Sequence, residues 1–598
     1  MTTPPSAIGT TRALRRMVSE APALRRGLGI TMLLAALGTA IQVVVPIVVQ
    51  RIIDSEILAP GGVDLADTLT LGGIAVTAML AAMVVRRLAL VRLALRAAQG
   101  LSDLRVRAFS HIHSLSVLHV EAERRGSLVA RVTSDVAAIQ DFVDWGGVGL
   151  LIGAAQVTLA VAMMLVYQWR LALFVLGGVV LYGLLLVLFQ RVLKRLHDQV
   201  RSLVGDTLAA IGETISGLVV VRAYGAEEAT MAKVRTVVHR QFRTEHRTFT
   251  LGAAMFSSAE VFAGAITAGV IGLGVAYGQG WGLSAGTLLA MLFLVTLLVE
   301  PVQTLVETLD QAQSAAAGVR RIIEVLDTPV EIADPVDGVP LPDGALDVSF
   351  AGVWFRYPSG EQAVRDVSVT IPAGARVAVV GETGSGKSTF SKLATRLLDP
   401  TSGEVLVGGI PLDRVGFTDL RRRVVFVPQE GFLFDTTIAG NVRYGRPDAS
   451  DARIERAFAE LELDGWLASL PSGLATAVGE RGSNLSAGER QLVALVRAWI
   501  ANPDVLVLDE ATSAVDPALE VQIRRAMEHL TESRTSITVA HRLSTAAAAD
   551  WVMVFDQGRL VERGPHEDLV ALGGVYAALH VDWAAGTGGG GRPIAPVQ

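Results

Sequence analysis

Six apolar runs lie in the first half of the chain, and each is about 20 residues long, the length that crosses a bilayer core of roughly 30 Å. A buried core helix is the alternative for any single run, but six such runs before residue 310 favour membrane spans. The pattern therefore predicts a bundle of six membrane-spanning helices. The runs occupy residues 28–50, 68–85, 147–168, 171–189, 253–277 and 284–306.

The segments 86–145 and 190–250, which lie between these runs, are too long for plain loops. Their apolar spacing and their few Gly and Pro residues predict helices that continue out of the membrane. A short break interrupts each segment, at 116–126 and at 216–228, and we expect a turn that runs across the helical direction there. A solvated helical hairpin is the alternative until a partner for these turns is found.

Arginine is distributed unevenly between the connecting segments. Segments 54–67 and 278–283 contain no Lys or Arg, whereas arginines precede the first run and are frequent in both long segments. Arginine near a span resists translocation, so the arginine-rich side is expected to be cytoplasmic. The sequence thus predicts a multi-pass protein of the plasma (inner) membrane, with both termini and everything after the last run in the cytoplasm.

The composition of the 598 residues indicates that part of the chain is surrounded by lipid, because 51% of the residues are hydrophobic and only 18% are charged. The formal net charge of −6 gives no sign of nucleic-acid binding. The absence of cysteine excludes disulfides, thiolate metal sites and cysteine nucleophiles. After 320–344, where Pro and Gly mark a linker, the apolar runs stop and the pattern is typical of a soluble α/β domain.

The stretch "ARVAVVGETGSGKSTF" (375–390) combines a short apolar strand, a glycine-rich turn and the start of a helix. Gly381, Gly386, Lys387 and Ser388 match the pattern G-x-x-x-x-G-K-[ST] in that context. The glycines permit close backbone approach, so that N–H groups surround phosphates, while Lys387 supplies a positive charge and Ser388 a hydroxyl for Mg²⁺. The predicted nucleotide contacts of this loop are Gly381, Thr383, Gly384, Ser385, Gly386, Lys387, Ser388 and Thr389.

A second apolar strand ends in two acids, in "DVLVLDEATS" (504–513). If this strand is buried, it delivers Asp509 and Glu510 to the same sheet edge as the phosphate loop. Asp509 then provides an oxygen ligand for Mg²⁺, and Glu510 a general base for water. An ordinary surface turn after a core strand is the alternative, and the phosphate loop upstream favours the nucleotide site.

Eight short motifs follow one another between residues 357 and 541. They are Tyr357 in "WFRYP", the loop 381–389, Gln429 in "VPQE", "GERG" at 479–482, the signature 485–489, Asp509-Glu510, "SAVD" at 513–516 and His541 in "TVAHRL". With these motifs the chain resembles, from about residue 10 to 580, a half-transporter of the ATP-binding cassette exporters of the multidrug type. The resemblance implies an ATPase that uses ATP and Mg²⁺ to drive alternating access of a membrane cavity.

The resemblance also implies roles for single side chains. Tyr357 would stack on adenine, Gln429 would bind Mg²⁺ through its amide oxygen, Glu510 would polarise the attacking water, and His541 would hold the γ-phosphate. Without the other motifs, such a tyrosine would more often belong to the core and such a histidine would more often be structural. The implied catalytic residues are Glu510, His541 and Gln429, and the implied metal ligands are Ser388, Gln429 and Asp509.

A dimer is a further implication, because in this family the signature of one subunit covers the nucleotide held by the other subunit's phosphate loop. The signature contacts would be Ser486, Gly488 and Glu489. The turns within 116–126 and 216–228 resemble the coupling helices that sit in clefts of the nucleotide domains.

Two positions of the signature depart from the usual LSGGQ. Ala487 replaces a glycine, which costs on the order of 1 kcal/mol if the position needs positive φ. Glu489 replaces the glutamine, and a carboxylate about 8 Å from a phosphate repels it by roughly 2 kcal/mol at an effective dielectric near 20, unless it turns away or Arg490 offsets its charge. The pattern favours a heterodimer with a second half-transporter, in which this chain is the catalytic member, over a homodimer. A simple helix cap at 485–491 is a third interpretation.

The predicted fold class is an all-α six-helix transmembrane domain followed by an α/β P-loop nucleotide-binding domain. The predicted divisions are an N-terminal cytoplasmic elbow at 1–27, a transmembrane domain with two intracellular helical loops at 28–325, a linker at 326–344, the nucleotide-binding domain at 345–582 and a disordered tail at 583–598.

The transported substrate is less constrained by the sequence. Glu300, Glu307 and Asp310 share one side of the last predicted span, which favours a site for cationic or amphipathic molecules. Solvation of the last two acids at the helix end is the alternative. The favoured function is export of small amphipathic or hydrophobic substrates, with membrane lipid as the surroundings and no nucleic acid as a partner. Alternatives are uptake of siderophores or cobalamin through the same fold and lipid flipping, whereas the apolar runs argue against a soluble cassette ATPase.

Overall fold

The structure, a computed structural model, describes residues 12, 16, 22–57, 64–123, 125–509, 516–540 and 542–586. The chain forms two compact units. The first comprises Met1–His113 and Glu123–Pro329, and the second comprises Ser114–Ala122 and Val330–Gln598. A short piece of the segment between the second and third predicted spans therefore belongs to the second unit.

The first unit is built from helices. In chain order, and including the short α4 of the second unit, they are α1 (Pro22–Gln42), α2 (Val44–Arg51), α3 (Leu65–Ser114), α4 (Val117–Ala122), α5 (Arg125–Val132), α6 (Ser134–Asp141), α7 (Val148–Ser216), α8 (Leu218–Ala223), α9 (Glu227–Trp281) and α10 (Ala285–Asp327). π-Helical turns lie at Ile52–Ile57 and Phe142–Gly147.

All six predicted runs lie on these helices. Within the described residues, five helical stretches are long and apolar enough to cross a membrane. One of them, on α7, carries both the third and the fourth run, because Gln168 interrupts the helix between them with a φ of −157° and a ψ of 100°. The predicted helical transmembrane architecture is confirmed.

The last span, α10, begins at a first turn that is capped from two sides. Ser284 Oγ accepts a hydrogen bond from the Thr287 N–H at 3.0 Å, and the Asp54 carboxylate accepts one from the Gly286 N–H at 2.9 Å. A Cβ atom at Gly286 would lie 2.6 Å from Asp54 Oδ1, so this approach requires glycine. The ends of the first and last spans are thereby joined, and orphan N–H groups of α10 are satisfied.

Three acids on α10 were expected to face a substrate. The backbone of α10 runs through Glu300, Glu307 and Asp310, next to Pro301. Their side chains lie outside the described part of the chain, so their contribution to a substrate site stays a prediction.

Both predicted breaks in the long segments form a helix of six residues. Helix α4 packs within the second unit, where Leu118 lies against the apolar core and Lys392 Nζ donates to the two carboxylate oxygens of Glu121 at 3.1 and 3.0 Å. The first transverse turn therefore has a partner surface, which excludes the solvated hairpin for this segment.

Helix α8, in the first unit, differs from α4 in its exposure. Val219 is 81% exposed, and Tyr224, which directly follows the helix end, is 83% exposed. A short helix that presents apolar side chains in this way has a free surface available for another chain.

The second unit contains two sheets. An antiparallel sheet has the strand order β2-β1-β4-β5, and a second sheet has the order β10-β9-β3-β8-β7-β6. The strands are β1 (Val348–Arg356), β2 (Gln362–Ile371), β3 (Arg376–Val380), β4 (Ser402–Val407), β5 (Ile410–Pro411), β6 (Val424–Val427), β7 (Val505–Asp509), β8 (Thr535–Val539), β9 (Trp551–Asp556) and β10 (Arg559–Gly564).

The strands of the larger sheet are mostly parallel, and this places the residues of the candidate nucleotide site at one edge of the sheet. Strands β9, β3, β8, β7 and β6 are mutually parallel, and their runs of Val, Ile and Leu are buried, as expected for a sheet covered on both faces. Parallel strands end at one edge, so the carboxyl ends of β3, β6, β7 and β8 lie along the same edge of this sheet.

Helices cover these sheets and form an insertion between β6 and β7. They are α11 (Lys387–Ala394), α12 (Phe417–Arg423), α13 (Ile438–Val442), α14 (Asp451–Glu460), α15 (Asp464–Ser469), α16 (Ala487–Ala501), α17 (Pro517–Thr531), α18 (Leu543–Ala547), α19 (His566–Leu572) and α20 (Val575–Gly586). The predicted α/β architecture of this part of the chain is confirmed.

Candidate functional site

The loop between β3 and α11 has the backbone of a phosphate cradle. Gly381, Gly384 and Gly386 all have positive φ, at 146°, 85° and 102°. A Cβ atom at Gly381 would lie 2.1 Å from the carbonyl oxygen of Phe555, and one at Gly386 would lie 2.3 Å from that of Ala363. The loop can therefore pass this close to β2 and β9 only because these positions carry glycine.

Lys387, the first residue of α11, is 5% exposed. Its Nζ donates to the carbonyl oxygens of Gly381 at 2.7 Å and Glu382 at 2.6 Å. Burial lowers the pKa of Lys387, and the charges of Asp509 and Glu382 partly offset that effect. The loop thus folds around one ammonium group, which holds its positive charge at the N-terminus of a helix, where anions bind.

Alanine at Gly381 is expected to reduce ATP affinity by at least about tenfold, because the Phe555 carbonyl or the loop itself must move by more than an ångström. ATP binding to the purified chain, measured with a fluorescent nucleotide, checks this. Gly374→Ala is the matched control, since Gly374 also has positive φ, at 78°, but lies before β3, where an added Cβ atom would meet no atom within 4 Å. Equal losses in the two variants would assign the effect to backbone strain alone.

Tyr357, at the end of β1, lies beside the first turn of α11. Its hydroxyl is 2.9 Å from Thr389 Oγ1, and its ring meets that of Phe355 edge to face with centroids 5.0 Å apart. The ring is half-buried and packs partly on the core. The structure therefore brings Tyr357 and the phosphate loop together, and stacking on adenine stays a prediction.

The expected magnesium ligands come from three chain segments that follow or end strands at the common edge. Asp509 ends β7, Gln429 follows β6 and is exposed, and Ser388 lies in the first turn of α11. A carboxylate, an amide and a hydroxyl are the hard oxygen donors that Mg²⁺ takes together with phosphates and water. This donor set therefore fits a Mg²⁺ ion that is bound together with a nucleotide. Among the described residues, no group of three or more His, Cys, Asp or Glu side chains is placed to hold a metal.

The expected catalytic base and γ-phosphate residue, Glu510 and His541, lie outside the described residues. Glu510 directly follows Asp509 at the end of β7, and His541 follows β8 by two residues. Strands β7 and β8 are parallel neighbours that pair Asp509 with Val539. Both residues therefore come after strands that end at the same edge as the phosphate loop.

The signature forms the start of α16 through a capping box. Ser486 Oγ accepts from the Glu489 N–H at 3.3 Å, and the Glu489 carboxylate accepts from the Ser486 N–H at 2.7 Å. The other carboxylate oxygen accepts from Trp466 Nε1 at 3.2 Å. Sequence reasoning missed Trp466, which lies in "LDGWLASLP" without any motif to single it out.

The charge of Glu489 is satisfied by this cap. Burial pushes its pKa upward, but the hydrogen bonds from Ser486 and Trp466 outweigh burial, and the pKa lies below its ordinary value. The helix N-terminus also favours a negative charge. Arg490, considered above as the neutralising neighbour, donates instead to the carbonyl of Leu485 at 2.9 Å.

The departure at Ala487 has no backbone cost. Ala487 is the first residue of α16 and is not among the residues with positive φ. The penalty estimated for a left-handed alanine therefore does not arise. Gly488 is buried in the same turn, while Ser486 and Ala487 are exposed, so the helix cap and an exposed signature surface coexist.

Comparison with known families matches this arrangement in both units. The model described as "ABC transporter transmembrane region" matches residues 28–302, and the model described as "ABC transporter" matches residues 364–513. The chain belongs to the ABC transporter family. This confirms the resemblance stated from the motifs, and it shows an ATP-binding ATPase coupled to membrane transport.

Individual relatives of this ABC transporter are similar over most of their length. An ATP-dependent lipid A-core flippase of Desulfotalea psychrophila is 30% identical over 80% of this chain and 83% of the relative. A fatty acid ABC transporter ATP-binding/permease protein of Mycobacterium bovis is 34% identical over 78% and 73%. A solved bacterial Atm1-family ABC exporter with ATP bound superposes with a TM-score of 0.77 at 27% identity, covering 94% of this chain and 98% of that one. The chain is thus a membrane transporter of the ABC exporter type.

Proposed function

We propose that this ABC transporter chain is one subunit of a dimer that exports small amphipathic or hydrophobic substrates by alternating access. The observation that carries the proposal is the phosphate loop around Lys387 in the same unit as α4, which comes from the segment between the second and third spans. Helix α4 lies in the ATP-binding unit but is covalently continuous with the membrane helices. Movement of the ATP-binding unit can therefore be transmitted through the chain to those helices.

In the proposed ATP site, Tyr357 stacks on adenine, and the loop residues 381–389 surround the phosphates. Ser388, Gln429 and Asp509 would hold a Mg²⁺ ion, which would neutralise phosphate charge. Glu510 accepts a proton from the attacking water, and His541 holds the γ-phosphate by an imidazole N–H. The buried Lys387 supports these roles, because its Nζ is already held at the loop by the carbonyl oxygens of Gly381 and Glu382.

The signature residues Ser486, Gly488 and Glu489 are proposed to complete the site of the partner subunit. Exposed Ser486 and the exposed apolar helix α8 support a dimer, since both surfaces lack a covering element within the described residues of their own unit. The sequence favoured a heterodimer because of two penalties at Ala487 and Glu489. The helical backbone of Ala487 removes the first penalty, and the cap restrains the Glu489 carboxylate. A homodimer is therefore the assembly to test first, with the heterodimer as the other outcome.

Two relatives are named for amphiphiles, a lipid A-core and a fatty acid. Their names support amphipathic substrates for this chain and keep lipid flipping as the second candidate. The arginine-rich segments support cytoplasmic nucleotide units and termini in the plasma (inner) membrane.

The proposal is tested by purifying the chain alone, reconstituting it in vesicles and measuring its size, ATPase rate and movement of labelled lipids, fatty acids and amphipathic dyes. A dimer that hydrolyses ATP and moves an amphiphile away from the nucleotide-unit side is expected. A monomer without hydrolysis points to the heterodimer, and movement toward the nucleotide-unit side would replace export by uptake.

A further inference from the structure

The hydrogen bond between Trp466 and Glu489 links two parts of the helical insertion. Trp466 lies on α15 and Glu489 in the first turn of α16, and the indole N–H reaches a carboxylate oxygen at 3.2 Å. The backbone N–H of Ser486 binds the other oxygen of the same carboxylate. Each oxygen of Glu489 therefore has its own donor.

The indole is fixed independently of this bond. Trp466 is 7% exposed and belongs to the apolar core of the insertion. Its ring stacks on Phe458 with centroids 6.0 Å apart and an interplanar angle of 29°. Because a tryptophan side chain can only donate, its N–H would be left without an acceptor if the carboxylate turned away.

The direction of the carboxylate matters because of what the start of α16 offers. The first N–H groups of any helix have no partner within the helix, and they attract anions together with an exposed hydroxyl such as that of Ser486. A free glutamate at the third helical position could swing over these groups and repel a phosphate. A glutamate whose carboxylate is hydrogen-bonded to both the Ser486 N–H and the Trp466 indole N–H cannot make this movement.

We propose that Trp466 is a positioning residue that keeps the Glu489 carboxylate on the Ser486 N–H and stops it from swinging over the other N–H groups at the start of α16, so that an anionic signature accepts the nucleotide phosphate of the partner subunit. This inference rests on the proposed dimeric ATP site and adds to it a residue outside every motif. It also explains how the acid can occupy the glutamine position of the signature.

The test compares ATPase kinetics of the full-length chain in lipid. Trp466→Phe keeps the ring in the core and removes only the N–H donor. We expect KM for ATP to rise about tenfold, which corresponds to about 1.4 kcal/mol, with kcat changed by less than about twofold. The double variant Trp466→Phe/Glu489→Gln should restore KM to near the wild-type value, because a neutral amide does not repel phosphate when it is released.

A matched control exists on the same helix. Trp499, near the other end of α16, donates its indole N–H to Glu460 at 2.6 Å, far along the helix from the signature. Trp499→Phe removes an equivalent indole–carboxylate bond, and its KM should stay within about twofold of wild type. A comparable KM rise in both tryptophan variants would overturn the proposal in favour of a packing effect.

Two further results would also show whether the proposal for Trp466 is correct. If the double variant keeps the raised KM of Trp466→Phe, the carboxylate is not the cause and the proposal fails. Should Trp466→Phe not fold, Glu489→Asp retains the indole and the charge but withdraws the carboxylate by one methylene, and an unchanged KM there would equally refute the proposal. Failure of the proposed function looks different, because the wild-type chain itself would then show no ATPase.

Discussion

Glu510→Gln is expected to lower ATP turnover by about 10²- to 10⁴-fold while ATP binding persists. A general base typically contributes that factor, and glutamine keeps the size and polarity of the side chain but cannot accept a proton from water. Glu510 directly follows Asp509 at the end of β7, at the sheet edge where the phosphate loop begins. Phosphate release by the dimer, together with binding of a fluorescent ATP analogue, checks both halves of the expectation.

Glu528→Gln is the control for this substitution. Glu528 is an exposed acid on α17 that pairs only with Arg524 at 3.5 Å among the described ion pairs, and its loss should leave turnover unchanged. If Glu510→Gln retains turnover near the wild-type rate, another group activates the water. If it loses ATP binding as well, its role is in the architecture of the site instead.

The transmembrane helices and the phosphate loop could be predicted because both depend on local pattern. A run of about 20 apolar residues has one stable solution in lipid. The glycines of 381–386 all have positive φ, and at Gly381 and Gly386 neighbouring backbone also leaves no room for a Cβ atom. The gap between the runs 147–168 and 171–189 coincides with the break at Gln168, but the pattern did not show that both runs lie on α7.

Contacts between distant segments could not be predicted in this way. Lys392 and Glu121 are 271 residues apart, and only the fold brings α11 and α4 together at that pair. Trp466 and Glu489 form a bond across 23 residues, and neither the apolar surroundings of the tryptophan nor the acid in the signature indicates the other. The sequence did indicate that Glu489 needed an explanation, because a carboxylate at that position conflicts with phosphate unless something restrains it.

The restraint on Glu489 and the burial of Lys387 are complementary parts of one electrostatic arrangement. At the phosphate loop, the Lys387 Nζ is placed between the carbonyl oxygens of Gly381 and Glu382. At the signature, a carboxylate is tied back so that the helix start and Ser486 remain the phosphate-facing groups. In a dimer, we expect a nucleotide between these surfaces to meet the Lys387 side chain on one side and Ser486 with the start of α16 on the other.

Lys387→Ala is expected to lower kcat/KM for ATP by about 10²- to 10³-fold, the cost of removing one preorganised charged donor at a phosphoryl-transfer site. The variant loses the positive charge and also the two hydrogen bonds by which Nζ holds the carbonyls of Gly381 and Glu382. Arginine would not restore the function, because its planar guanidinium cannot occupy the buried space of a compact ammonium. Steady-state ATPase assays and nucleotide binding measure the loss.

Lys392→Ala provides the matched control, because Lys392 lies on the same helix α11 but binds Glu121 of α4 instead of the phosphate loop. Its KM for ATP should stay within about twofold of wild type, whereas coupling of ATPase rate to transported substrate should weaken. A Lys387→Ala variant that still hydrolyses ATP at the wild-type rate would show that the loop is not the catalytic nucleotide site. If Lys392→Ala instead loses ATP affinity as strongly as Lys387→Ala, both effects come from disruption of α11 and neither lysine can be assigned a separate role.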